Sequence, residues 1–483
     1  MNYDIIIIGG GLGGLTAGAK LAKEGKKVLL LEQHDRPGGC ATTFLRKDFI
    51  MEVGLHEMDG LHPGDMKTRI FRDLGVSERV EFLEVPEFYR FKNERHDIVV
   101  PHNPEKAASV LLENFPSEGE GIKTYFEHLL NARKIISSSD PALDRSVGEW
   151  LDEITGDDDL KLVLLGNLGY FHDDPYTLSY YYYITAQGSY YGGRANFIKG
   201  GSQELSNALS DIITENGGTV RLKKQVKSLI FREDRLFGVE YQDKGTVKTM
   251  ESDEAAEVIV NSSLPEFARN IMPPGRSDAL LEKIRSLETG ASLLTVYYGF
   301  RKPLSAIGNR HYSTFIFDDP VRKPGDIVLN NRDDFSRRSF TFVDYSQVDS
   351  GLAPEGKSVA AACCIDYLND WEGLTRSQYM DKKSEVAEVI TGRLEKLIPG
   401  FSDAVEYVEV ATAMTVKKYT LNTGGAVYGF AQVPHKSTNY LNYLPENIHI
   451  ASAWGKFGGG FSGAIFSGYM TAMDILRKGR RQG

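Results

Sequence analysis

The sequence predicts an α/β chain in which a doubly wound dinucleotide-binding domain is interleaved with an α+β domain. Three observations predict it. A strand, a glycine-rich turn, a helix and a second strand ending on an acid occupy residues 5–32. A further strand and glycine turn at residues 448–463 leave only 20 residues after Gly463, enough for one helix but not for a new nucleotide unit. Between them, a glycine-rich loop at residues 191–202 leads into an amphipathic stretch and a series of short strands. The two ends therefore return to one domain and the remainder is inserted. The expected division gives residues 1–80, 191–265 and 431–483 to the nucleotide domain, and 81–190 and 266–430 to the inserted one.

Each residue of the opening has a physical task. Ile5–Ile8 is a β-branched run, as a strand buried on both faces requires. Gly9, Gly11 and Gly14 match G-x-G-x-x-G, with Leu12 and Gly13 inside the motif. Gly9 permits the tight turn, Gly11 lets backbone approach a pyrophosphate, and Gly14 lets the helix pack closely on the strand. Helical spacing over residues 15–26 then offers free N–H groups and a positive dipole end to the phosphates. Val28–Leu31 is the second strand, and Glu32 follows eighteen residues after Gly14, placed to accept from a ribose. A glycine pair, Gly38 and Gly39, comes next, over which a longer dinucleotide could pass. From these residues alone FAD and NAD both remain open.

Composition sets the outer bounds. A length of 483 residues is more than one core needs and suggests roughly two to four domains. A net charge of −10 argues against a nucleic-acid partner. Cys40, Cys363 and Cys364 cannot build a disulfide framework, and no cysteine–histidine cluster has metal spacing, so no metal is expected. The start carries no basic, apolar leader, and residues 457–473 are glycine-rich and short of the roughly twenty apolar residues of a spanning helix. A cytoplasmic protein is expected, with peripheral contact on the inner face of the membrane as a further reading. The basic tail at residues 477–481 reads first as a solvated terminus. The 49 glycines and the 24 Phe and 24 Tyr are the unusual counts, and they need positions before they have meaning.

In the middle, a helix is expected over 203–216, then a small meander of strands over 220–222, 226–231 and 237–241, and a buried strand over 256–261. Asp173, Asp174 and Pro175 read as a helix start, giving a helix over 175–186 that carries four consecutive tyrosines, Tyr180 to Tyr183. Four in a row cover every face, so some reach beyond a single core stripe. Strands over 293–300, 339–345, 358–365 and 403–411 and a helix over 382–397 read as a second sheet with its cover, the floor of a substrate domain.

Taken together, residues 4–32, 38–43, 52–56, 198–203, 217–226, 419–429 and 458–468 occur in the order of a known family. The chain resembles the FAD-dependent phytoene desaturases, carotenoid isomerases and retinol saturases along nearly its whole length. That resemblance implies a Rossmann-type FAD-binding domain interleaved with an α+β substrate domain, the flavin amine oxidase/phytoene desaturase-like fold. By position it places FAD against Gly9 to Gly14, Glu32, Gly39 and the backbone of Val226. It places the flavin ring against residues 54–56 and against Gly459 and Gly460. Where the family usually has glycine and then an acid or amide, this chain has Ser452 and Ala453, and Glu52 replaces a common aspartate.

The resemblance puts His56 and Glu57 beside the ring as candidate catalytic residues, and Tyr180 and Tyr183 are the candidate substrate residues. His56 has a reference pKa of ~6.5, suited to proton exchange, and suits a hydrogen-bonded structural role equally. The expected reaction is hydride exchange with flavin N5 at carbon–carbon bonds of a long apolar isoprenoid or polyene. Desaturation, saturation and cis–trans isomerisation all fit, with an external electron donor or acceptor where electrons must balance. An amine or porphyrinogen-type flavin oxidase, and a non-catalytic lipid- or prenyl-binding protein on the same scaffold, are the alternatives.

Overall fold

The computed structural model describes residues 3–138, 140, 143–251 and 256–482, with side chains as far as residue 479. Part of the basic tail, Arg480 and Arg481, has its side chains outside the described residues. Ile5–Ile8 is buried throughout and pairs in parallel with Val28–Leu31 on one side and Glu257–Val260 on the other. Thr219–Arg221 joins beyond Val28–Leu31, and Ile448–Ile450 beyond Glu257–Val260, completing a five-stranded parallel sheet. Strands about two hundred residues apart thus stand side by side, which is the interleaving that the sequence predicts.

The helices Leu12–Lys23, Ser202–Glu215 and Gly460–Gln482 pack together on this sheet. A Cβ on Gly13 would stand 1.7 Å from the Ala451 carbonyl oxygen, and one on Gly468 would stand 2.1 Å from the Gly13 oxygen. Bare backbone at Gly468 brings the last helix onto the first, and at Gly13 it brings the first helix onto the end of Ile448–Ile450.

The second sheet has seven strands in the order Val405–Ala411, Ser292–Phe300, Ser358–Asp366, Phe340–Asp344, Ser313–Ile316, Tyr89–Lys92 and Asp97–Val100. Every residue of Ser358–Asp366 is buried, because both faces are covered. Leu294, Val296, Tyr298, Ala360 and Ala362 meet Val386, Ile390 and Leu394 of the helix Arg376–Leu397 on one face. Tyr297, Val359 and Ala361 alternate onto the other, toward the large core.

The expected glycine-rich loop over 191–202 is instead a helix end at Gly193 and a strand Ala195–Ile198, and four further expected elements differ. The tyrosine helix spans Tyr180–Gly193 rather than 175–186. Asp174 and Pro175 form a turn instead, since the Ser179 N–H is drawn to the Gln432 carbonyl and its hydroxyl caps the Tyr182 N–H. Thr219–Arg221 belongs to the parallel sheet, and the meander is Gln225–Arg232, Arg235–Asp243 and Thr246–Glu251. Lys223, in the left-handed region at φ 57°, turns the chain from one sheet to the other. The helix expected over 382–397 begins at Arg376, where Thr375 and Gln378 form a capping box. Residues 403 and 404 close the short helix Phe401–Ala404, so the expected strand 403–411 starts at Val405. No helix among the described residues is long and apolar enough to cross a membrane.

Candidate active site

The opening motif forms a cradle emptied of side chains. Gly9 has φ 98°, and a Cβ there would lie 2.4 Å from the Asn261 carbonyl oxygen. A Cβ on Gly14 would lie 2.4 Å from the Gly9 oxygen, and one on Gly11 would press on the Asn261 amide at 2.8 Å. The helix Leu12–Lys23 receives no side-chain cap and has no acid in its first turn, so its N–H groups and dipole end stay available to an anion. Leu12 is buried behind the turn. Glu32, also buried, accepts from the Gly10 N–H at 2.6 Å and the His34 N–H at 2.8 Å.

The Gly38 N–H donates to the Gly10 carbonyl at 2.7 Å, and a Cβ on Gly39 would stand 3.3 Å from the Gly11 Cα. Lys224 N–H donates to the Glu32 carbonyl, which brings neighbouring Val226, buried on Gln225–Arg232, to the same end. Gly9, Gly11, Leu12, Gly13, Gly14, Glu32, Gly39 and Val226 therefore gather in one place. A dinucleotide fits this set: glycines where phosphates need backbone, and an acid where a ribose needs an acceptor.

The segment at residues 52–57 is irregular but fully tied down. The Glu52 carboxylate accepts from the N–H groups of Gly54, Leu55 and Ser202 and from the Ser202 hydroxyl. Burial pushes its carboxyl up to about 7, against the pull of those four donors. Three tyrosines of the seven-stranded sheet and its flanks then hold the carbonyls. Tyr297 donates to Val53, Tyr345 to Leu55 and Tyr312 to His56, at 3.2, 3.1 and 2.6 Å. This irregular stretch is thus fastened to the seven-stranded sheet by hydrogen bonds rather than by secondary structure of its own.

His56 and Glu57 project from it onto the wall of a cavity of about 1240 Å³. The His56 ring meets the Tyr170 hydroxyl at 3.3 Å, and desolvation pulls it down to about 4, so it is neutral at ordinary pH. Glu57 is 7 % exposed, and neither carboxylate oxygen has a partner among the described residues. Its burial, together with the charges of Glu87 and Asp59, raises its carboxyl well above the usual range. Burial therefore favours its protonated form, as for any unpaired buried acid.

The rest of the wall is aromatic. Tyr170, Phe171, Tyr181, Tyr182, Tyr190, Phe315, Phe317, Phe340, Tyr428, Phe457, Phe461 and Phe466 line it, with Cys363, Cys364 and Ile365 on the sheet floor. Gly459 and Gly460 stand where the last helix opens, at the same wall as Val53 and Gly54. A Cβ on Gly459 would lie 2.6 Å from the Tyr428 Cα. Burial pushes the Cys40 thiol up to about 11, which makes it a packing group rather than a nucleophile.

Beside Glu57 lies a buried charged cluster. The Lys67 ammonium, fully buried, pairs with Asp59 at 2.8 Å and Asp65 at 3.6 Å. Burial works to raise the Asp59 carboxyl, but Lys67 and the hydroxyls of Ser189 and Ser462 outweigh it and hold it below the ordinary range.

Tyr180 and Tyr183, the expected substrate residues, do not reach the cavity. Both are fully buried in the core, where the Tyr180 hydroxyl meets the His128 ring and Tyr183 donates to the Leu164 carbonyl. Tyr181 and Tyr182, between them in sequence, line the cavity instead. Helical phase explains the exchange. Tyr180, Tyr183, Ile184 and Gln187 form one buried stripe, while Tyr182, Thr185, Ala186 and Ser189 form the stripe turned to the cavity. The small residues at 185, 186 and 189 are the signal that marks the open face. Tyr170, Tyr190 and the three tethering tyrosines have no comparable local signal.

Fold and site together define a dinucleotide-binding protein with a large aromatic cavity. Residues 12–476 match the family described as flavin containing amine oxidoreductase. The chain belongs to that family, and it is an FAD-dependent oxidoreductase.

Its relatives narrow the comparison. It is 26% identical to the chloroplastic prolycopene isomerase of Daucus carota, over 92% of this chain and 74% of that one. It is 25% identical to the all-trans-retinol 13,14-reductase of Danio rerio, over 89% and 77%. With a 4,4'-diapophytoene desaturase of Methylomonas sp it shares 25% over 92% and 88%. Among solved structures, an oxidoreductase from Methanosarcina mazei aligns with a TM-score of 0.67 at 17% identity, over 97% of this chain and 99% of that one. Cyclohexylamine oxidase from Brevibacterium oxydans aligns with a TM-score of 0.66 at 16%, over 99% of each. These structures establish the flavin amine oxidase-like fold. The resemblance read from the motifs is the one the relatives carry.

Proposed function

We propose that this enzyme acts on carbon–carbon bonds of a long apolar isoprenoid or polyene, by desaturation, saturation or cis–trans isomerisation. The observation that carries the reading is a large ring-lined cavity with one unpartnered, proton-bearing acid, Glu57, on its wall. Part of that space falls to the flavin ring, which the resemblance sets against residues 54–56, Gly459 and Gly460, and the twelve aromatic side chains of the lining offer an extended apolar chain contact.

Bound FAD supplies a two-electron hydride donor or acceptor. The chain's residues do the remainder. The Glu57 carboxyl delivers a proton to a substrate carbon in the reductive direction, or takes one once ionised in the oxidative direction. His56, neutral and held by Tyr170, shapes the wall beside it without adding charge. The aromatic walls exclude water, and the tyrosine tethers keep Glu57 in place. Net reduction or oxidation requires an external electron donor or acceptor, whereas isomerisation requires none.

Two features favour a second reading, an amine oxidase. The fold is shared with cyclohexylamine oxidase, and Glu57 and Asp59 could offer an ammonium group negative charge. The two readings differ in the proton on Glu57, since an amine site needs it ionised. Anaerobic addition of candidate polyenes and of primary amines to the flavin-loaded protein separates them. Bleaching by a polyene, or reoxidation of the reduced protein by one, supports the proposed function. Bleaching by amines alone defeats it.

A further inference from the structure

Charges around the cavity are unevenly matched. Of its wall carboxylates, Asp59 and Asp65 pair with Lys67, Asp144 stands 2.6 Å from the His435 ring, and burial favours the protonated form of Glu57. Four cations of the same lining, Arg133, Lys134, Lys436 and Lys456, have no ion-pair partner among the described residues. That is unusual for a chain of net charge −10, in which acids outnumber bases.

Lys436 is the half-buried one whose head group is most nearly enclosed. Its ammonium has the Phe430 carbonyl at 3.5 Å, an oxygen already taken by the Gln432 amide at 2.8 Å, and the Phe430 ring at 5.9 Å. Desolvation pulls Lys436 down to about 8, so enclosure works against its charge with no anion to offset it. Gln432 in turn packs against Gly458, just before the helix Gly460–Gln482, and both Gln432 and Lys436 line the cavity, with exposed His435 and Ser437 on either side of Lys436.

We propose that the cavity takes an amphipathic substrate whose long apolar chain ends in an anionic head group, carboxylate or phosphate, seated on Lys436. The inference rests on the apolar-substrate reading above and narrows it, since an uncharged hydrocarbon leaves Lys436 unmatched. A charge-assisted hydrogen bond to an enclosed ammonium is worth roughly tenfold or more in affinity. Arg133 and Lys134, both exposed, add attraction over a longer range and less to the bound state.

The test compares binding of a long-chain polyenoic acid, the alcohol of the same chain and that alcohol's phosphate ester to flavin-loaded protein. Flavin absorbance shifts and quenching of intrinsic fluorescence give the readout. The acid or the phosphate should bind about tenfold more tightly than the alcohol, and the stronger of the two identifies the head group. Lys436→Met should abolish most of that preference and leave alcohol binding unchanged. Lys436→Arg, which keeps the charge, should retain it and shows that position 436 tolerates change.

Equal binding of all three ligands, or a preference unaltered in Lys436→Met, overturns the proposal while leaving the apolar-substrate reading intact. If none of the ligands binds, that reading fails and this inference with it. Selective binding to anionic over neutral phosphatidylcholine vesicles, with no preference among the ligands, would assign the cations to a bilayer surface and also overturn it.

Discussion

In the dinucleotide cradle the working surface consists of missing side chains, and in the cavity it consists of large ones. A methyl group on Gly13 would stand 1.7 Å from the Ala451 oxygen, whereas twelve aromatic side chains and the unpartnered Glu57 carboxyl stand on the cavity lining. The cradle is local: a turn of six residues, one acid and a glycine pair, with the long-range packing supplied by backbone. The cavity is assembled from far-flung segments, with Glu57, Tyr182, Cys363 and Phe461 all in its lining. A cradle of this kind tolerates no added atom, while a cavity of this kind should tolerate changes that alter function more than folding.

The largest expected effect lies in the cradle. Gly13→Val should prevent accumulation of soluble flavoprotein, because the displaced atom is a backbone oxygen and cannot swing aside. Flavin content and yield check this. Gly25 has φ 79° and nothing within 4 Å of an added Cβ, so Gly25→Ala should cost only about 1 kcal/mol from its left-handed backbone. The pair separates steric closure from conformational preference.

The second effect is on the cavity side. Glu57→Gln should lower turnover by roughly 100-fold or more through loss of proton transfer. Stability should move the other way. The folded chain holds the Glu57 proton to higher pH than the unfolded chain does, so its contribution is present below the unfolded value and lost as pH rises through the folded one. The variant should therefore melt above wild type at alkaline pH and converge with it near about pH 4. A parallel fall in both activity and melting temperature would instead mark Glu57 as a structural group.

A smaller contrast divides the tyrosine row. Tyr183→Phe deletes a buried hydroxyl bonded to the Leu164 carbonyl and should cost about 1 kcal/mol of stability. Tyr182→Phe should leave stability within about 0.5 kcal/mol and change substrate KM. Of comparable size is Tyr312→Phe, which frees the His56 carbonyl. The remaining tethers at Val53 and Leu55 should limit the loss to about 1 kcal/mol, with a fall in turnover larger than any change in KM.

The same contrast explains what could be read before the structure. Gly9 to Gly14 and Glu32 announce themselves because turn, phosphate contact and ribose contact depend on residues close in sequence. The returning carboxyl-terminal strand was legible from simple length, since 20 residues cannot build a second nucleotide unit. Glu57 was named through its place after Gly54 in the family motif, but its lack of partners depends on Glu87, Asp59 and the walls around it. Tyr180 and Tyr183 were assigned to substrate because four consecutive tyrosines give no phase. The phase depends on where the helix starts, and Ser179, held by Gln432 from the far end of the chain, sets that. The tethers from Tyr297, Tyr312 and Tyr345 are hydroxyl-to-backbone bonds across 244 to 290 residues, and no local pattern encodes them.

The most direct test of the central claim is an anaerobic titration of the flavin-loaded protein with a long-chain polyene, repeated with Glu57→Gln. The account predicts a stoichiometric change in flavin absorbance, bleaching of the oxidised protein or reoxidation of the reduced one, or product isomer formed only by the reduced protein. Each should be slowed at least about 100-fold in Glu57→Gln. No response to any polyene from a protein that primary amines bleach would contradict it.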